Sequence, residues 1–139
     1  MKRLTLDETW EECLRMWKWI ASSPRLPKHK CPSHYLIVEL KRTWLKKEGY
    51  DPQGMADKCF FCEYAVQKYI DSNGKLPKSL SLRCSYCPGR KVSRKFDCMC
   101  DDYNYARFPK RFYAELCRLN KIRMDKKRKG RTKNEVLAN

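Results

Sequence analysis

The chain has 139 residues and a formal net charge of +16, from 32 Lys and Arg against 16 Asp and Glu. That length fits one domain with a modest core, and no apolar run approaches the roughly 20 residues needed to cross a bilayer. The charge favours a polyanionic partner: nucleic acid first, an acidic protein or membrane surface second.

Thr5-Leu6-Asp7-Glu8 reads as a capping box that opens a helix running to about Ala21, ahead of Pro24. Trp10, Leu14, Trp17 and Ile20 form its apolar stripe with Cys13 beside them. These rings read as packing, while Trp19, pointing elsewhere, is a candidate partner contact. Residues 22–31, with Pro24 and Pro27, read as a loop. Pro32 suits the first turn of a second helix, which reaches about Lys47 and ends at Gly49. Leu36, Ile37, Leu40, Trp44 and Leu45 give it an apolar face. Residues 50–58 read as a turn.

Two Cys-x-x-Cys pairs follow, Cys59/Cys62 and Cys84/Cys87, with 21 residues between them, then Cys98 and Cys100. This is the spacing of a four-cysteine zinc site: each tight turn aims two thiolates at one ion about 2.3 Å away, and two turns complete a tetrahedron. Pro88-Gly89 suits the reversal after the second pair. The expected ligands are Cys59, Cys62, Cys84 and Cys87, with Cys98 or Cys100 as substitutes. Buried thiols of no special role need no such spacing. A disulfide framework fits poorly with nine cysteines and no secretory leader, since Asp7, Glu8, Glu11 and Glu12 interrupt any apolar segment after the basic start. A reducing cytoplasm is therefore expected. Cys31 and His34, three apart, form half of a second site if Cys98 and Cys100 complete it; the plainer reading leaves His34 as a solvent-facing residue at a helix start.

A short helix is expected from Glu63 to Asp71, ended by Asn73-Gly74, with a loop from Leu76 to Arg83 that includes a short strand at Leu80–Arg83. Tyr105, Phe108, Phe112, Leu116 and Leu119 mark a long helix from about Pro109 to Lys126. Cys117 lies off this stripe. Between Lys121 and Lys133 there are eight basic residues and one acidic, Asp125. With Gly130 and no apolar stripe, residues 126–139 read as a tail that frays until it meets an anion. The charge gathers in this half: residues 1–62 carry 12 basic and 8 acidic side chains, residues 63–139 carry 20 and 8.

The expected fold is mainly α: one helical domain, residues 1–125, around a four-cysteine zinc knuckle or ribbon-like centre, with a basic C-terminal helix and tail. Trp10-x-x-x-Leu14-Arg15-Met16-Trp17-Lys18-Trp19-Ile20, with Cys59-x-x-Cys62-Glu63-Tyr64 and Cys84-x-x-Cys87-Pro88, resembles small zinc-binding-like proteins of tailed bacteriophages. Cys100 through Leu116, an aromatic stretch before a basic helix, is similar to them as well, whereas the segment with Cys31 departs from them. The resemblance covers about half of the chain in separate pieces. It implies a phage-encoded protein in the host cytoplasm, and supplies no reaction.

Catalysis is not expected. All-cysteine zinc sites are closed and structural. No His-x-Glu accompanies the pairs as a deaminase requires. His29 and His34 lie well upstream of where a metal nuclease would hold its base, and no Gly-rich phosphate loop is present. Asp101-Asp102 with Asp97 is the one carboxylate group near the cysteines, and reads as a solvated loop rather than a magnesium site. The expected function is nucleic-acid binding by a surface that zinc holds in place. Arg83, Arg90, Lys91, Arg94 and Lys95 would meet phosphates near the second pair. Arg107, Lys110 and Arg111 would do so at the start of the last helix, and Lys126, Lys127, Arg128 and Lys129 from the tail. Tyr86, Tyr103 or Tyr105 would stack on unpaired bases. The alternative is a factor that docks on a host enzyme through the tryptophan-rich first helix and the exposed part of the second. No small-molecule substrate is expected in either reading.

Overall fold

The computed structural model describes residues 3–52 and 59–138, with side chains as far as Gly130. The fold is mainly α, as the periodicity predicts, and no strand occurs among the described residues. Most of the turn predicted at residues 50–58 lies outside them.

Helix α1 (Leu6–Ala21) opens on the predicted capping box. The Glu8 N–H donates to Thr5 Oγ1 at 3.1 Å, and the Thr5 N–H donates to Glu8 Oε1 at 3.0 Å. Two backbone donors that the helix leaves unpaired are thereby satisfied. Helix α2 (His34–Lys47) starts two residues later than Pro32 predicts, because the Ser33 hydroxyl accepts the Leu36 N–H at 3.2 Å and takes the cap.

Helix α3 (Phe60–Asn73) is longer than predicted and begins inside the first cysteine pair, with Cys59 at its cap. Its two leading phenylalanines explain the difference. Phe61 meets Trp10 edge to face at 4.7 Å, and Phe60 meets Trp44 at 5.9 Å, so burial of both rings draws the pair into the first turn. Gly74 ends the helix as predicted, with φ of 71° and its N–H donating to Ile70 O at 2.7 Å.

Leu80–Cys84 is not a strand but a short helix, α4, capped by Ser79; a lone strand would have had no neighbour to bond its backbone. Helix α5 (Pro88–Val92) carries Pro88 in its first turn. Helix α6 spans Pro109–Ala138, so the backbone continues as helix where the sequence predicts a fraying tail. Lysine and arginine are good helix formers, and Gly130 alone costs about 1 kcal/mol. The first part of that stretch is also held at its side: Arg123 and Lys127 bind the two oxygens of Asp7, at 2.6 and 2.7 Å. Both cations hold the Asp7 carboxyl below its ordinary pKa, Lys127 foremost.

Helix α1 is the centre, packed against α2, α3 and α6. Its buried face is Trp10, Cys13, Met16, Trp17 and Ile20. Ile37, Leu40, Trp44 and Leu45 of α2 and Phe112, Leu116 and Leu119 of α6 close on it. Trp19 is half-buried against the same core rather than displayed. Phe96, from the loop after α5, wedges in beside Phe112 with ring centroids 6.2 Å apart.

That wedge requires a glycine beneath it. A Cβ on Gly89 would stand 2.6 Å from Phe96 Cε1, and the ring is buried and stacked on Tyr103. Gly89→Ala is therefore expected to destabilise the protein by about 1–3 kcal/mol, the usual penalty for overpacking. Urea denaturation measures it, and a change within about 0.5 kcal/mol, as at an ordinary surface site, would show that the loop shifts freely.

Candidate functional site

Cys59, Cys62, Cys84, Cys87 and Cys98 line one cavity of about 30 Å³, room for a single small ion or water molecule. The sequence around each thiol explains how it arrives there. Cys59 caps α3 and Cys62 lies in its first turn. Cys84 ends α4 and Cys87 caps α5, with a turn between them closed by the Cys87 N–H donating to Cys84 O at 3.0 Å. Cys98 follows the Phe96 wedge. Phe61, Phe96 and Phe112 form the apolar wall behind the sulfurs.

Seclusion governs the chemistry of these thiols. The Cys62 thiol is held far above its ordinary pKa, first by its hydrogen bond with Cys59, then by the repulsion a second charge would meet there, and by burial. Burial pushes Cys87 up to about 11, against the pull of the Arg90 and Gly89 backbone N–H groups, which favour a thiolate. Burial likewise pushes Cys98 up to about 12. Cys13, fully buried behind the cavity, is raised for the same reason.

The thiols share a cavity, but they do not form a coordination sphere. Among the described residues no three His, Cys, Asp or Glu side chains are disposed so as to hold one metal ion. Of the two predicted substitutes, Cys98 joins the other four. Cys100 does not; its thiol meets the Tyr103 hydroxyl instead. Cys31 and His34 are both exposed, and they are not brought together with Cys98 and Cys100 as a metal-holding group. Asp101 and Asp102 are exposed, and Asp97 accepts the Met99 N–H at 2.9 Å.

The predicted phosphate-binding residues divide into three kinds. Arg83 and Arg90 turn inward and line the thiol cavity, where Arg90 Nε donates to Phe96 O at 3.0 Å. Lys127 pairs with Asp7, and Arg128 with Asp125. Lys91, Arg94, Lys95, Arg107, Lys110, Arg111, Lys126 and Lys129 are exposed. Of the predicted stacking rings, Tyr86 lies under Lys91 Nζ, while Tyr103 and Tyr105 pack against Phe96 and Trp17.

One participant escapes the reading of the sequence. Lys41, only 4% exposed, lines an adjoining cavity of about 120 Å³ together with Cys59, Cys62, Cys84 and Cys98. Its signal was a lysine at position i+4 from Ile37 and between Leu40 and Trp44, a charge inside an apolar stripe.

Among the described residues no helix is long and apolar enough to cross a membrane. No family model matches the chain, and neither a curated protein nor a solved structure matches it.

Proposed function

We propose that the protein is a small nucleic-acid-binding module, without catalysis, whose cationic surface is held in place by zinc on the clustered cysteines. Cys59, Cys62, Cys84 and Cys87 are the ligands of this reading, with Cys98 the one alternative that shares their cavity. The donor set supports it: five thiols delivered to one small cavity by separate segments, in the spacing that suits zinc. Coordination would supply the positive charge that deprotonates them outright.

The observation that carries the nucleic-acid reading is the packing of Phe96 on Phe112. It brings the cluster Lys91, Arg94 and Lys95 beside the cluster Arg107, Lys110 and Arg111, two basic segments more than ten residues apart in the chain. In this reading their exposed side chains act together on one polyanion. Arg107 and Arg111 both lie over the half-buried Phe108 ring, at 5.6 and 4.6 Å, which limits their freedom before any phosphate binds.

Fluorescence anisotropy with labelled duplex DNA, single-stranded DNA and RNA at rising salt tests the proposal. Changing Lys95, Lys110 and Arg111 together to Gln is expected to weaken binding. On duplex DNA it should also flatten the salt slope by roughly 2–3 log units per log unit of salt, close to 0.9 for each phosphate that is no longer neutralised. A slope equal to that of the parent would remove these residues from the interface.

The other reading, a factor docking on a host enzyme through tryptophans, loses its anchors in α1. Trp10 and Trp17 are fully inside and Trp19 is half-buried. A lysate pull-down after nuclease treatment would revive it, if a protein were retained by a chain with no affinity for nucleic acid.

A further inference from the structure

Burying a charged side chain without a partner is among the most costly arrangements in a protein interior, so cations on the wall of an apolar cavity call for an anion. Lys41, Arg83 and Arg90 all line the two adjoining cavities around the cysteines. Against them stands one carboxylate, Asp97. Among the described residues Lys41 forms no salt bridge, and its Nζ lies 5.6 Å from the Tyr105 ring centroid, over the π face. Arg83 Nε is buried without a hydrogen-bond partner. Lys41 is buried, Arg83 and Arg90 are half-buried and Asp97 is exposed, so the buried charge on the lining is cationic. Among the described residues no other acidic side chain lines either cavity.

A zinc ion with four thiolates carries about −2. We infer that Lys41 and Arg83 are the counter-charges of a dianionic metal–thiolate centre. This rests on the proposed zinc site and adds two residues to it, one from α2 and one from α4. Lys41 matters most because it comes from outside the cysteine-bearing segments: it ties the centre to α2, which supplies no thiol to the cavity. Groups of this kind, outside the ligand set but facing it, typically change metal affinity about 10- to 100-fold when removed.

The test uses the full chain loaded with zinc and a chromophoric chelator in competition, for the parent, Lys41→Met, Lys41→Arg and Arg83→Gln. Lys41→Met keeps the length and apolar stem of the side chain and deletes the charge. It is expected to lower zinc affinity about 10-fold or more, with Lys41→Arg retaining most of it and Arg83→Gln falling in the same direction as Lys41→Met. Urea denaturation in excess chelator gives the second readout. There Lys41→Met is expected to be as stable as the parent or more so, because it removes an unpaired buried charge. A residue that served packing alone would show the reverse pattern, with stability lowered and affinity unchanged. Parent protein that binds zinc while Lys41→Met binds it equally well would overturn the counter-charge role and leave the zinc reading standing. Parent protein that takes up no zinc would overturn both.

Discussion

If the clustered thiols hold zinc as proposed, a strong chelator is expected to lower the melting temperature sharply and to loosen the region around residues 59–100 first. Structural zinc in small sites contributes on the order of 10–16 kcal/mol of apparent binding free energy at neutral pH, and that energy is folding energy. A domain of this size has roughly 5–15 kcal/mol of net stability, so the loss is comparable with the whole. Cys62→Ser should reproduce it, because Cys62 lies in the first turn of α3 and brings that helix to the other thiols. Cys31→Ser, at an exposed position away from the cavity, should leave the melting temperature unchanged.

The pH dependence gives the same expectation an independent sign. In chelated protein Cys87 and Cys98 are neutral thiols, held at about 11 and about 12 by burial. An unfolded thiol ionises near 8.5. A folded pKa above the unfolded one means that stability is intact below about 8.5 and falls as pH rises from there towards 11. With zinc bound the dependence reverses, because protons compete with the metal and acid is then the destabilising direction. Urea midpoints at pH 7, 8.5 and 10, with and without chelator, separate the two. A chelated protein equally stable at pH 7 and 10 would contradict the burial of these thiols.

Trp17→Ala is the second large effect. Trp17 is fully buried on the central helix, edge to face with Phe112 at 4.9 Å and with Tyr105 at 5.8 Å, so one ring joins α1, α6 and the loop before α6. Deleting such a ring typically costs about 3–5 kcal/mol. The indole Nε1 has no hydrogen-bond partner, and removing an unpaired donor returns part of that loss, which places the expected value near the lower end, about 3 kcal/mol. Trp17→Phe keeps most of the ring and discards the donor, and should cost clearly less. Equal losses for the two variants would show that the ring's packing is not what holds these elements together.

Helix positions were legible where one residue type has one physical use. Thr5 with Glu8, and Gly74 after Asn73, mark termini because few other residues satisfy those backbone groups. The apolar stripes of α1, α2 and α6 were legible for the same reason. The length of α3 was not, because Phe60-Phe61 looks like the filling of a cysteine turn until Trp10 and Trp44 are seen to receive the two rings. Local propensity there gives way to burial.

The site shows the same division. Spacing pointed to the cysteines that share a cavity, since a pair three residues apart, within one turn, arrives together wherever it goes. It did not separate Cys98, which lines the cavity with Phe96, from Cys100, which does not. Nor did it separate inward from outward cations. Arg83 and Arg90 look like Lys91 and Arg94 in sequence, and only the packing of α4 and α5 onto α3 turns the first two towards the thiols.

Everything functional proposed for this chain depends on those thiols holding an ion. Elemental analysis of protein purified without added metal or chelator, with the concentration fixed by amino-acid analysis, addresses that most directly. The expected result is one zinc per chain, falling to near zero in Cys62→Ser and unchanged in Cys31→Ser. A cooperatively folded parent protein with no bound metal would contradict it.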